Sequence, residues 1–247
     1  MAYIREYSEL PEQEHRQLRY KRQFKNDVPT WDDSMVLAVN ELQEILPEKC
    51  TALDLGCGHG NYVLDELREH FSSVIGIDVD ETVSGKNTTI TELRITDGKM
   101  LPVANENVEL VTALWVLEHL DYPRETFAEV ARVLKPGGLF IFTTPNKNAL
   151  IVYARRLMPY AFARRVVEKV YGRPTSDVFP VFYRANTVRD IHRLLPSEQW
   201  TEILLKENVD PSYTSFSELT YKISRFLAEK LPRQNSPHLI GIYQKNP

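Results

Sequence analysis

The chain has 247 residues, 43% hydrophobic and 26% charged, with a formal charge of −4, which suits one globular domain with its own core and argues against a dedicated nucleic-acid binder. Its two cysteines, Cys50 and Cys57, exclude a disulfide scaffold or a cysteine-rich zinc site and point to a reducing, cytoplasmic setting. No apolar run is long enough for a transmembrane helix, and no secretory signal follows the mixed-charge N-terminus.

Residues 1–47 are read as an N-terminal helical arm. Its second half has a clear pattern: Met35, Ala38, Val39, Leu42, Ile45 and Leu46 share one helical face, and Pro47 ends it. Thr30 with Asp33 three residues on resembles a capping box, placing the helix start near Thr30. Residues 48–146 alternate strand and helix. Strands are expected at 51–55, 74–77, 93–95, 108–113 and 139–143, with a glycine turn at 56–60 and a helix at 61–70. A further helix starts at Pro123 and turns Phe127, Val130, Ala131 and Leu134 inward, before Pro136-Gly137-Gly138 turns the chain into the fifth strand. Residues 147–196 are helical, aromatic and basic, are split by Pro159, and read as a cap inserted after the fifth strand. Residues 197–247 supply strands at 202–206 and 239–243 around a helix at 218–231. Such alternation predicts one α/β domain, a seven-stranded mostly parallel sheet with helices on both faces.

The segment Leu53-Asp54-Leu55-Gly56-Cys57-Gly58-His59-Gly60 joins the first strand to a helix. Glycine permits positive φ and lets a ligand approach the backbone. The turn stands at a strand's carboxyl end, where open α/β sheets bind ligands. Its spacing is G-x-G-x-G, not the G-x-G-x-x-G of a dinucleotide site, and the Asp54 carboxylate would repel a pyrophosphate. A zwitterionic or cationic ligand fits better than a diphosphate, which disfavours a nicotinamide-dependent dehydrogenase. Asp78, at the end of the second strand, can accept from both hydroxyls of a ribose. Asp97, after the third, can accept from an adenine amino group.

Residues 51–60 resemble motif I of the class I S-adenosylmethionine-dependent methyltransferases. The similarity to the type 11 branch continues through Gly76-Ile77-Asp78, Thr96-Asp97-Gly98-Lys99-Met100-Leu101-Pro102, Leu117-Glu118-His119-Leu120 and Val133-Leu134-Lys135-Pro136-Gly137-Gly138. The resemblance implies a Rossmann-like fold and S-adenosylmethionine as cofactor, with S-adenosylhomocysteine as product. It implies that Gly56, Cys57, Gly58 and Gly60 pass under the methionine part and ribose, and that Asp54 holds the turn and the amino end. Asp78 would bind the ribose hydroxyls with Val79 against adenine. Asp97 and the Gly98 backbone would meet the adenine edge, and the backbone at Ala113 and Leu114 the amino group. Glu109 and Val108 depart from the usual aromatic–Asp pair on the fourth strand.

Methyl transfer from a sulfonium needs alignment, and a hydroxyl nucleophile needs a base. His119 is the candidate base, because it follows the fourth strand on the edge that carries the glycine turn. Some relatives bind a divalent metal through Glu-x-x-Glu-His. Trp115 stands at the first of those positions here, so no metal is expected.

Tyr20, Trp115, Tyr183 and Arg184 are the candidate acceptor contacts, Tyr20 as part of an arm closing over the cofactor. Asn186 or Thr187 is expected to cap the helix after the aromatic loop. Residues 147–173 carry seven cations against Glu168, and a basic amphipathic helix at 160–173 suits transient contact with a membrane surface. The reading is thus O-methylation of a small-molecule, saccharide or lipid-linked acceptor, with a catalytically silent S-adenosylmethionine-binding module as the alternative. The oligomeric state is not legible.

Overall fold

A computed structural model describes residues 12–83, 85, 87–96, 98–157 and 180–247. Seven strands form one sheet in the order β3-β2-β1-β4-β5-β7-β6. They are β1 (Cys50–Leu55), β2 (Phe71–Asp78), β3 (Glu92–Ile95), β4 (Val108–Leu114), β5 (Leu134–Pro145), β6 (Trp200–Asn208) and β7 (His238–Lys245). The pairs β1–β2, β1–β4, β2–β3 and β4–β5 are parallel. The helices are α1 (Glu12–Asp27), α2 (Ser34–Ile45), α3 (Tyr62–Glu66), α4 (Pro123–Val133), α5 (Leu150–Leu157), α6 (Val188–Leu194) and α7 (Glu218–Lys230). This is the expected Rossmann-like architecture of seven mostly parallel strands.

The chain divides into two compact units. The larger comprises residues 34–145, 181–206 and 239–247. Its strands alternate between two buried clusters, as the two-residue period of a strand requires. Leu53, Val111, Phe140 and Phe142 join Phe127 and Val130 of α4 and Ile191 of α6. Ala52, Leu110, Leu139 and Ile141 face the other way, with Ala38 and Leu42 of α2 and Val63 and Leu64 of α3. Both faces are covered, so most strand residues are apolar throughout.

The smaller unit comprises residues 1–33, 146–180 and 207–238. Tyr20, Phe24, Trp31, Val209 and Tyr221 form its aromatic core. Tyr20 stacks on Tyr221 at 5.4 Å, and the Trp31 indole N–H donates to the Val209 carbonyl at 3.0 Å. Lys21 lies between two buried carboxylates, Asp33 at 2.7 Å and Asp210 at 3.1 Å.

Several local expectations are corrected. Helix α2 begins at Ser34, not near Thr30, because Trp31 is drawn into the aromatic core and Asp33 into the ion pair with Lys21. The helix after the glycine turn is short, and Asn61 caps it instead of opening it, accepting from the Val63 and Leu64 amides. Leu134 is buried as expected but belongs to β5, at the end of α4. Of the two caps expected for α6, Thr187 is the one the structure shows, accepting from the Asp190 amide, so that expectation holds. Pro159 and the basic segment 160–173 lie outside the described residues.

Candidate functional site

Pairing of β1 with β4 stops at Asp54↔Thr112, whereas β4 stays paired with β5 through Leu114↔Thr143. Above Thr112 the two central strands part. This is also where the strand order reverses, the place at which an open α/β sheet offers a crevice. The glycine turn and the carboxyl end of β4 flank that opening.

The turn is strained in the sense that only glycine relieves: φ is +67° at Gly56 and +44° at Gly58. A Cβ at Gly56 would stand 2.5 Å from Cγ2 of Val116, so the chain after β4 packs directly on the turn. Gly56 and Gly60 are solvent-exposed. The turn is held from below by the Gly56 and Cys57 amides, which donate to the Ile77 carbonyl at 2.8 and 3.1 Å. Asn87 holds it from the side, its amide donating to the carbonyls of Cys57 (2.9 Å) and Gly58 (3.0 Å). Cys57 itself is buried, and burial pushes its thiol up to about 12, so it packs as an inert neutral group.

Asp54 is the most informative side chain. It is buried, and its Oδ1 accepts from Thr112 Oγ1 at 2.7 Å and Asn61 Nδ2 at 2.8 Å. Its Oδ2 is buried with no hydrogen-bond partner among the described residues. Burial raises its pKa to about 6, against the opposing effect of those two bonds. A buried carboxylate oxygen without a donor is costly, and a ligand ammonium or N–H would relieve it.

Asp78 lies beside the turn. Its Oδ2 accepts from the Gly58 amide at 2.9 Å, and its Oδ1 from the amides of Val79 (2.8 Å) and Asp80 (3.0 Å). These bonds aim the carboxylate, fill both acceptor sites of Oδ1 and leave Oδ2 with further acceptor capacity. Val79 is 58% exposed, an apolar side chain open to solvent next to that carboxylate. Asp97 lies outside the described residues. The Gly98 amide donates to Thr96 Oγ1 at 3.2 Å, so it is already engaged within its own loop. Ala113 is buried in β4 and Leu114 half-buried.

Past β4, Trp115 adopts φ +61°, unusual for a bulky residue, and its amide donates to the Thr143 carbonyl at 2.8 Å. The next turn carries Leu117, Glu118 and His119. Glu118 is buried, and its Oε2 accepts from Thr144 Oγ1 at 2.9 Å. Asn186 donates in turn to Thr144 Oγ1 (2.7 Å) and to the Pro145 carbonyl (3.0 Å). His119 Nε2 stands 3.9 Å from Glu118 Oε1, with about a third of the His119 side chain exposed.

The aromatic loop is fastened to this turn. The Phe182 and Tyr183 amides donate to the Glu118 carbonyl at 2.8 and 3.3 Å, and Tyr183 has φ +53°. Arg184 pairs with Asp121 at 2.8 Å and lies over the Phe182 ring. Its charge is therefore occupied in locking the loop. His119, Trp115, Tyr183 and Arg184 thus gather at one turn. Tyr20, expected to close over the cofactor, is 3% exposed and stacked on Tyr221 within the smaller unit's core.

Asn61, Asn87, Thr112, Val116, Thr144 and Asn186 complete the arrangement without having been singled out as ligands. Only Asn61 carried a signal, an asparagine directly before an apolar helical stretch. Glu109, the departure on β4, accepts from the Thr51 amide at 2.8 Å and pairs with Lys135. It ties strands together away from the crevice.

Residues 53–142 match a family described as a methyltransferase domain. A probable S-adenosylmethionine-dependent methyltransferase of Mycolicibacterium smegmatis is 35% identical over 108 residues, covering 41% of this chain and 42% of that protein. A ubiquinone biosynthesis O-methyltransferase of Hydrogenovibrio crunogenus is 30% identical over 150 residues, covering 57% of this chain and 59% of that protein. The chain thus spans about half the length of the curated relatives it matches. The crystal structure of an S-adenosylmethionine-dependent methyltransferase from Mesorhizobium loti shares the fold, with a TM-score of 0.54 over 86% of this chain and 98% of that one at 17% identity.

Proposed function

We propose that this chain, which belongs through residues 53–142 and the sheet around them to the class I S-adenosylmethionine-dependent methyltransferases, methylates an oxygen of a small-molecule, saccharide or lipid-linked acceptor. The observation that carries the reading is Oδ2 of Asp54, buried without a hydrogen-bond partner among the described residues, beside the open glycine turn. The residues fit the cofactor. Asp54 suits its ammonium, the exposed backbone at Gly56 and Gly60 its methionine part and ribose, and Asp78 the ribose hydroxyls. Val79 offers an apolar surface for adenine, and Asp97, which lies outside the described residues, is proposed for the adenine amino group.

Bound there, S-adenosylmethionine supplies a methyl group already activated on a sulfonium. The protein's part is to align the acceptor oxygen and to take its proton. His119 accepts that proton, and the Glu118 carboxylate 3.9 Å from Nε2 offsets the charge the imidazole gains. Trp115 and the loop at 181–184 border the acceptor. Oxygen as the methylated atom is favoured by the ubiquinone biosynthesis O-methyltransferase among the relatives. No described helix is long and apolar enough to cross a membrane, and the basic segment 160–173 is proposed to make only transient contact with one.

Isothermal titration with S-adenosylmethionine tests the cofactor site. Micromolar binding that Asp54→Asn weakens supports it, and no heat at millimolar ligand rejects it. Tritiated-methyl transfer into fractionated cell extract tests turnover. A labelled product identifies the acceptor, and tight cofactor binding without any labelled product would leave a silent binding module instead.

A further inference from the structure

The face of α7 that points away from its own unit is apolar. Tyr221 and Ser224 are buried, and Ala228 is partly buried against the aromatic core. Opposite them stand Leu219 (69% exposed), Ile223 (52%), Phe226 (58%) and Leu227 (41%), with Phe216 (44%) just before the helix. At 3.6 residues per turn, positions 219, 223, 226 and 227 fall within one arc of roughly 100°, a stripe as wide as a core-facing one. A helix that met only water on this side would carry charges there.

The rim of the stripe is positive. Lys222, Lys230 and Arg233 are exposed and form no ion pair among the described residues. Arg16 of α1 lies 5.1 Å over the Phe216 ring. The nearby acids are already matched, Glu218 by Arg19 and Glu229 by Arg225. The apolar stripe offers on the order of 500 Å², below the roughly 800 Å² per partner of a stable protein interface. An apolar band with Lys222, Lys230 and Arg233 at its edges, none of them ion-paired among the described residues, fits an anionic lipid surface. Leucine, isoleucine and phenylalanine would sit among the acyl chains while the lysine stems reach the headgroups.

We propose that the outer face of α7, from Phe216 to Arg233, is a membrane-surface binding site for anionic phospholipid, with the helix lying in the interface plane. It is separate from the basic segment 160–173 and does not depend on the methyl-transfer reading.

Flotation of the full chain with phosphatidylcholine vesicles, with and without phosphatidylglycerol, tests it. Expected is recovery on the phosphatidylglycerol vesicles that falls roughly tenfold for Leu219→Ser/Phe226→Ser, and that weakens with salt for wild type. Both side chains are exposed, and an unchanged melting temperature shows that the variant folds. No flotation of wild type, or equal flotation of the double variant, overturns the proposal. Loss only in Arg164→Ala/Arg165→Ala would assign binding to the other segment. A dimer in light scattering that Phe226→Ser dissolves, without vesicle binding, would assign the face to a second copy of the chain.

Discussion

At the scale of single residues, the site turns on one buried acid. Asp54 has its pKa raised to about 6 by burial, so it loses its charge on going from neutral to mildly acidic solution. A ligand ammonium needs the carboxylate form. Cofactor affinity should therefore fall about tenfold per pH unit below that value and level off above it. The stability of the ligand-free protein moves the other way, because the folded state holds the proton more tightly than the unfolded chain. That contribution is gained as pH falls through about 6 and is complete below the ordinary value of 3.8. Titration calorimetry across this range should show the affinity trend in wild type and its absence in Asp54→Asn. His119 makes a separable prediction. His119→Ala should lower kcat by about 100-fold or more and leave cofactor affinity within about twofold. Glu118→Gln should lower kcat less and alter its pH profile, whereas a purely structural Glu118 would change stability alone. Asp54, Asp78 and the glycines were legible as letters at strand ends. The donors that aim them were not, because Thr112 and Asn87 reach the turn from distant parts of the chain.

At the scale of elements, the strand–turn–helix unit is tightly fitted. Gly76 of β2 faces the turn, and a Cβ there would stand 2.7 Å from Cγ2 of Ile90 and 2.9 Å from Sγ of Cys57. Gly76→Ala should cost about 1–3 kcal/mol and lower Tm by roughly 3–10 °C in a thermal melt. The strands were readable because each is a short apolar run at a glycine, proline or acidic stop. Helix α2 was readable by its face but not by its start. A capping pattern at Thr30 is local, whereas the pull on Trp31 and Asp33 comes from Val209 and Lys21. The aromatic loop is a similar case. Its composition suggested acceptor contacts, but the structure places Arg184 against Asp121 and Phe182 against the Glu118 carbonyl. Its first task is to hold the turn that carries His119.

At the scale of the whole molecule, two units of different character share one chain. The larger is a sheet with apolar layers on both faces. The smaller draws together residues far apart in sequence, from the N-terminal arm and from 207–238. Its centre is the buried cluster in which Lys21 serves both Asp33 and Asp210. Lys21→Ala would leave two buried carboxylates without their cation. The expected cost is about 3–5 kcal/mol, readable as a lower urea midpoint. Lys21→Met, equally uncharged, should cost nearly as much, which separates charge from side-chain volume.

Sequence by itself determined the alternation of strands and helices, the glycine turn, and the acids at the strand ends. These are local signals, set by apolar periodicity and by the backbone freedom of glycine. Tertiary structure alone decided which oxygen of Asp54 has no donor among the described residues, that Tyr20 is buried in an aromatic core, and that α7 turns an apolar face outward. Each of these depends on what packs against a residue, and packing partners tens to hundreds of positions away leave no mark on the residues beside it.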